Sequence, residues 1–136
     1  MENCVFCRIV RGELPASVVY QDDLTMAIMD IGCVNPGHML VIAKPHADNL
    51  YGVDDALAAA LFRTAARMAR AAEKTLKPEG VSVYQANGKA AGQTVFHVHI
   101  HVLPRWENDG MTLTWPMRNP PREELEKMAA QLRAAL

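Results

Sequence analysis

The chain has 136 residues, of which 50% are hydrophobic and 21% are charged, and its formal net charge is −1. This size and composition favour one soluble globular domain spanning residues 1–136. The lack of a basic excess argues against nucleic acid as a main partner, and no apolar run, such as that at 39–43, is long enough to cross a membrane. The N-terminal sequence lacks a secretory leader and the three cysteines are an odd number, so we expect a cytoplasmic protein with reduced thiols.

The predicted secondary structure combines short strands with two helices. Apolar runs bounded by turn residues predict strands at 18–21, 26–29, 39–43, 81–86 and 95–103. Helical spacing predicts a helix that Asp54 or Asp55 caps and that runs to the region of Leu76. A second helix is predicted to begin at 119–121. Strands joined by turns, together with two helices, indicate an α+β domain on an antiparallel sheet.

The run 97–103, with the sequence HVHIHVL, is the most informative feature of the chain. Side chains alternate between the two faces of a strand, so the imidazoles of His97, His99 and His101 are expected to project from one side. Imidazole suits proton transfer, nucleophilic attack and metal ligation near neutral pH. The run therefore predicts a functional site, the alternative being a chance cluster of satisfied histidines.

Polar residues elsewhere in the sequence suit a phosphate site around these histidines. The glycine-containing turn 87–92 and the donors Gln93 and Thr94 directly precede the run, although an ordinary hairpin turn would have the same composition. His38 opens the strand at 39–43 and either joins the triad or lies on the surface. Asp30 ends the strand at 26–29, where it either binds sugar hydroxyls or serves only the turn.

The spacing of Cys4 and Cys7 allows two thiolates to hold one zinc ion. A second pair of ligands is then needed, and His46 and the triad are the candidates. We prefer metal binding to redox chemistry because the chain lacks a thioredoxin-like βαβ pattern, and free thiols are the alternative. Cys33 is interpreted as a small, buried apolar residue.

The triad, with Gly92-Gln93-Thr94 before it and Pro104-Arg105 after it, resembles the histidine triad (HIT) superfamily, and the resemblance extends over nearly the whole chain. Among its branches the chain is most similar to Hint-like bacterial HIT proteins. The resemblance implies a five-stranded antiparallel sheet with two helices in each subunit of a homodimer. The two sheets of the dimer would join into one ten-stranded sheet.

The resemblance also implies binding of a purine nucleoside monophosphate group and its hydrolysis or transfer through a nucleotidylated histidine. Carried over by position, His99 is the nucleophile, and the carbonyl of His97 orients it by accepting its Nδ1–H. His101 and His38 would contact the phosphate oxygens. The hydroxyl of Thr94 stands where many relatives carry serine and can still donate to the leaving group.

Further roles follow from the same resemblance. Asn87 and Gln93 match phosphate-contacting positions, and Asp30 matches the ribose-binding carboxylate. The base pocket would be lined by residues that could otherwise be plain core: Phe6, Ile9, Leu14 and Ile28. A structural zinc would be held by Cys4, Cys7, His46 and His97, and no metal is required at the phosphorus.

We expect hydrolysis of an adenosine phosphoramidate of the AMP-lysine type. One alternative is hydrolysis or phosphorolysis of dinucleoside polyphosphates. Another is a nucleotide-binding interaction protein whose catalysis is incidental. A third treats the triad as a catalytic metal cluster, against which the sequence shows no acidic residue after the triad until Glu107.

Overall fold

Five antiparallel strands form one sheet in the order β1-β2-β3-β5-β4. The computed structural model describes residues 2–136. The strands are β1 (Val18–Gln21), β2 (Thr25–Met29), β3 (Met39–Ala43), β4 (Gly80–Tyr84) and β5 (His99–Arg105). The α+β class and the five-stranded antiparallel sheet are confirmed. Because β5 lies between β3 and β4, the histidine strand has a neighbour on each side.

Three α-helices accompany the sheet where the sequence predicted two: α1 (Val5–Val10), α2 (Asp55–Leu76) and α3 (Arg122–Ala134). Asp54 caps α2 as predicted, and its carboxylate accepts the backbone N–H of Leu57 at 2.8 Å. The helix α1 escaped prediction because its six residues are too few to show a period. Among the helices that the structure describes, none is long and apolar enough to span a membrane.

The helix α2 covers one face of the sheet and forms the main core with it. Its apolar stripe and the inward side chains of β2, β3 and β5 are almost completely removed from water. The core residues are Ala27, Met39, Val41, Ala43, Leu57, Leu61, Ala65, Met68, Ala72, Val98, Ile100 and Val102. Burial of this apolar area is the main driving force for folding.

The opposite face of the sheet carries a smaller apolar cluster together with the histidines. The cluster consists of Phe6, Met26, Ile28, Leu40 and Ile42. In the β3–β5 register His99 lies opposite Ile42, and His101 lies opposite Leu40. Residues opposite each other on paired strands share a face, so both imidazoles stand on the side that α1 covers.

Two sequence predictions need correction. The histidine strand begins at His99, not at Val95, because the N–H of Val98 leaves the ladder and bonds to the carbonyl of Ala47 at 2.7 Å. It ends at Arg105 and includes Pro104, which is tolerated because pairing with β3 has already ended at Val102. Cys33 is exposed, not buried, because it lies in the loop before β3.

Candidate active site

The backbone of His97 determines the tautomer of His99. The carbonyl oxygen of His97 lies 2.6 Å from Nδ1 of His99. A carbonyl only accepts hydrogen bonds, so Nδ1 carries the proton of a neutral His99 ring. The lone pair is therefore on Nε2, which is the nitrogen a nucleophile must keep free. This contact was expected from the family resemblance and is present.

A second chain of contacts determines the tautomers of His38 and His101. The N–H of Val34 donates to Nδ1 of His38 at 3.2 Å, so the proton of the neutral ring is on Nε2. That Nε2 lies 2.9 Å from Nδ1 of His101, which must then accept. His101 consequently carries its own proton on Nε2. Where His99 offers a lone pair, His101 offers an N–H donor.

Burial keeps these two rings neutral. Desolvation lowers the pKa of His101 to about 4, and the neighbouring His99 and His38 add to the shift. Burial also lowers the pKa of His38, although the carboxylate of Asp30 opposes the shift. Both rings are therefore uncharged at neutral pH, as the hydrogen-bond pattern requires.

Asp30 lies beside this pair, in the position that the resemblance gave to a ribose-binding carboxylate. Its Oδ1 accepts the N–H of Gly32 at 2.8 Å, and its Oδ2 lies 3.3 Å from Nε2 of His38. Asp30 thus places a carboxylate beside His38 and His101, although no acidic residue follows the triad in sequence until Glu107. The three side chains are close enough to suggest a metal site. The proton on Nε2 of His38, required by the Val34 contact, favours a hydrogen-bonded cluster instead.

A network behind His38 holds the loop that carries Val34. The side-chain N–H₂ of Asn35 donates to the carbonyl of Pro104 and to Oδ2 of Asp109, each at 2.8 Å. Arg105 donates to the same carboxylate oxygen at 2.6 Å, and these two donors hold the pKa of Asp109 well below its usual range. The sequence did not predict this network, because Asn35 lies 69 positions before Pro104 and 74 before Asp109. No motif links residues that far apart.

An apolar cavity of about 400 Å³ opens in front of His99 and His101. The nucleotide cavity, as we name it, brings together the predicted base-pocket residues, Asp30 and two of the three triad histidines. It is lined by Val5, Phe6, Ile9, Leu14, Pro15, Ala16, Ile28, Met29, Asp30, Ile31, Leu40, Thr94, Val95, His99 and His101. The ring of Phe6 meets that of His99 edge-on, with centroids 5.2 Å apart. An apolar pocket that ends in a few polar groups is typical of small-molecule sites.

Asn87 and Gln93 are not among the residues that line this cavity. The buried Gln93 accepts the N–H of Gly88 at 2.7 Å and donates to the carbonyl of Asp48 at 2.6 Å. Asn87 accepts the N–H of Leu50 at 2.8 Å. Both amides stabilise the loops around the site, and their contact with phosphate stays a prediction.

Four further residues form a compact set with the chemistry of a zinc site: Cys4, Cys7, His46 and His97. The sulfur-to-nitrogen distances are 3.3–3.5 Å, and Nδ1 of His46 lies 3.1 Å from Nδ1 of His97. Tetrahedral zinc ligands of this type are separated by about 3.3–3.8 Å, given bonds of about 2.0–2.3 Å. The four predicted residues are thus brought together with sulfur-to-nitrogen distances in this range and with the two Nδ1 atoms slightly closer to each other.

The outer hydrogen bonds of this set leave its inner atoms without protons. Nε2 of His97 donates to the carbonyl of Ala43 at 2.7 Å, and Nε2 of His46 donates to the carboxylate of Asp48 at 3.0 Å. Both inner Nδ1 atoms are therefore bare when the rings are neutral. Burial and the neighbouring Cys4 raise the pKa of Cys7, so a bound cation would be needed to stabilise its thiolate. The donor set fits zinc.

Comparison with known proteins identifies the family. A family model for the HIT domain matches residues 11–108. The chain is 31% identical to adenosine 5'-monophosphoramidase hnt1 of Schizosaccharomyces pombe, over 96% of each chain. A crystal structure of a HIT family protein from Bacillus anthracis superposes with a TM-score of 0.95 at 35% identity, covering 99% of this chain and 98% of that one.

A zinc-bound relative is also among the similar structures. A histidine triad family protein from Mycobacterium smegmatis is 39% identical, with a TM-score of 0.77 and 99% of each chain covered. The zinc is bound by the Mycobacterium protein, and the likeness alone does not assign zinc to this chain. Sequence, topology and the triad all lead to one assignment. The chain belongs to the HIT domain family of nucleotide-binding proteins and hydrolases.

Proposed function

We propose that the chain hydrolyses phosphoramidates of a purine nucleoside monophosphate through a nucleotidyl intermediate on His99. The observation that carries the proposal is the pairing of a bare Nε2 on His99 with an N–H donor on His101 at the end of an apolar cavity. A nucleophile beside a donor for developing negative charge suits displacement at phosphorus. The name of the fission yeast relative supports the same substrate class.

In the first step, the lone pair of His99 Nε2 forms a bond to the α-phosphorus while the bond from phosphorus to the amine nitrogen breaks. The leaving nitrogen takes up one proton, which the exposed hydroxyl of Thr94 relays from solvent. Nε2–H of His101 donates to a phosphoryl oxygen, and Nδ1–H of His99 stays on the carbonyl of His97. The positive charge that develops on the His99 ring is stabilised by this contact.

In the second step, water attacks the same phosphorus and the bond to Nε2 of His99 breaks. The attacking water loses one proton along the same Thr94 route, in the direction opposite to the first step. The products are the nucleoside monophosphate and the free amine. No metal is required at the phosphorus, and Asp30 binds the ribose hydroxyls with the lone pairs that its internal contacts leave available.

Zinc at Cys4, Cys7, His46 and His97 has a structural role in this proposal. It joins α1, which lines the nucleotide cavity, to the segment that precedes β5. The set is closed, with four protein ligands, and so offers no position for substrate. The ion crosslinks the chain and takes no part in the displacement.

A homodimer completes the proposed assembly. In the described part of the chain, β4 has β5 as its only neighbour and exposes Val83 and Tyr84 at the sheet edge. A free edge with apolar side chains is suited to pairing with a second copy. Pairing of β4 with β4 of a second subunit would produce the ten-stranded sheet that the resemblance implies, and sedimentation equilibrium measures the mass.

The intermediate is the decisive test of the proposed chemistry. The protein is mixed with an adenosine phosphoramidate, quenched in alkali within the first turnover, and digested for mass spectrometry. We expect the mass of an adenylyl group on the peptide that contains His99, and none on that peptide from the His99→Asn variant. An adduct on another residue, or turnover without an adduct on any residue, contradicts the proposal.

A further inference from the structure

A second cavity continues from the nucleotide cavity on the far side of Thr94. It has a volume of about 600 Å³ and shares the residues Val5, Thr94 and Val95 with the nucleotide cavity. We call it the leaving-group groove. In the proposed reaction Thr94 passes a proton to the departing nitrogen, so a group attached to that nitrogen lies beyond Thr94. The groove is the space that such a group would enter.

The charged side chains that line the groove are both acidic. Its lining contains the carboxylates of Glu2 and Asp48 and the amide of Asn3, and it contains no lysine or arginine. With zinc bound, the adjacent metal set would add no net charge, because two thiolates would balance a divalent cation. The groove therefore favours a positive group and disfavours a negative one.

Asp48 is held in place by the residues of the site itself. Its Oδ1 accepts from Nε2 of His46 at 3.0 Å, and its backbone carbonyl accepts from the side chain of Gln93 at 2.6 Å. Gln93 is the residue before Thr94, so this bond ties the acidic wall to the junction of the two cavities. The side chain of Asp48 is 61% exposed, which leaves its charge accessible to a bound group.

We propose that the leaving-group groove selects phosphoramidates whose amine carries a second, positively charged group, such as a diamine or a lysine in a basic peptide. The inference rests on the proposed function and adds the leaving-group class to it. An anionic leaving group, such as the nucleoside phosphate released from a dinucleoside polyphosphate, would meet Glu2 and Asp48 with the same sign of charge. The charge of the groove therefore favours hydrolysis of phosphoramidates over hydrolysis of dinucleoside polyphosphates.

The test compares three AMP phosphoramidates of similar length. Their amines are diaminopropane, which ends in an ammonium, propylamine, which ends in a methyl group, and β-alanine, which ends in a carboxylate. The measured quantity is kcat/KM for each, in wild type and in the Glu2→Gln/Asp48→Asn double variant. The chemical reactivity of each substrate does not depend on which protein cleaves it. The ratio of kcat/KM for the ammonium substrate to kcat/KM for the carboxylate substrate therefore changes between the two proteins only through the groove.

We expect the double variant to reduce that ratio by about tenfold at low ionic strength, with a smaller change at high salt, because both carboxylates are at the surface. Asp48→Asn keeps an oxygen that can accept the hydrogen bond from His46 and so preserves the geometry of the four predicted zinc ligands. The Asp23→Asn variant, which removes one exposed charge from the β1–β2 turn, is a control for overall charge and should keep the wild-type ratio.

The outcomes separate the two proposals. Turnover of all three substrates with the same ratio in wild type and double variant overturns the groove assignment and leaves the proposed function standing. Turnover of none of them overturns both. If the ammonium-to-carboxylate ratio of kcat/KM falls in Asp23→Asn as it does in the double variant, the effect is one of overall charge. That result also overturns the groove assignment.

Discussion

The carbonyl oxygen of His97 accepts a hydrogen bond from Nδ1 of His99 at 2.6 Å, while the ring of His97 lies among Cys4, Cys7 and His46. One residue therefore belongs to two sites through different atoms. Its backbone orients the proposed nucleophile and its side chain completes the proposed zinc set. The alternate positions predict three rings on one face, and the structure shows that the ring of His97 makes contacts different from those of His99 and His101.

Replacement of His99 by asparagine should abolish turnover and preserve binding. The variant lacks the Nε2 lone pair that forms the bond to phosphorus, so we expect kcat to fall by at least about a thousandfold. The other residues that line the cavity are unchanged, so the dissociation constant for AMP, measured by calorimetry, should stay within about threefold. Full activity in this variant would refute the assignment of the nucleophile.

Removal of both thiolates should remove the metal. We expect the Cys4→Ser/Cys7→Ser variant to lose about one zinc per chain by elemental analysis and to melt at a lower temperature than wild type. Because α1 lines the nucleotide cavity, KM should rise more than kcat falls. Retention of one zinc per chain would instead place the ion at Asp30, His38 and His101.

Loss of the Val34 amide proton should disturb the tautomer of His38. The Val34→Pro variant lacks this N–H donor, whereas Val34→Ala keeps it and serves as the control. Nitrogen-15 NMR of the imidazoles should show wild-type and Val34→Ala rings with the proton on Nε2 of His38, and a mixed tautomer in Val34→Pro. We expect kcat to fall by about tenfold in the proline variant only. An unchanged spectrum and an unchanged kcat in Val34→Pro would exclude this role.

The depressed pKa of His101 should make stability depend on pH. The unfolded ring titrates near 6.5 and the native ring at about 4, so the unfolded chain binds the proton first as the pH falls. Stability from the neutral ring is complete above the unfolded pKa and is lost as the pH falls toward the native pKa. Urea unfolding at about pH 7.5 and about pH 5 should show wild type losing about 2 kcal/mol more than His101→Asn. Both proteins keep the zinc ligands, so metal loss cancels in the comparison, and equal losses would contradict the prediction.

Substitution of Gln93 should affect stability. The Gln93→Ala variant leaves the N–H of Gly88 and the carbonyl of Asp48 without their partner, and we expect a loss of about 1–3 kcal/mol in the free energy of unfolding. The neighbouring Thr94→Ala, at an exposed side chain, should change that free energy by less than about 0.5 kcal/mol. Chemical denaturation of both variants measures the difference, and equal effects would contradict the structural role of Gln93.

The parts of the fold that depend on neighbouring residues were predictable. Asp54 at the start of α2 and the apolar run of β3 are local signals, and both were found where expected. The helix α1 was missed because its stability depends on contacts with residues far along the chain, at His46 and His97. The donor that determines the tautomer of His38 is a backbone N–H, which every residue but proline carries, so no sequence pattern marks it.

The helix α1 has six residues, and helices of that length are not stable in water by themselves. Its order depends on the packing of Phe6 in the smaller apolar cluster and on the Cys4 and Cys7 contacts. Val5 belongs to the walls of both cavities. Local unfolding of this one turn and a half of helix would therefore open the base end and the amine end of the site together.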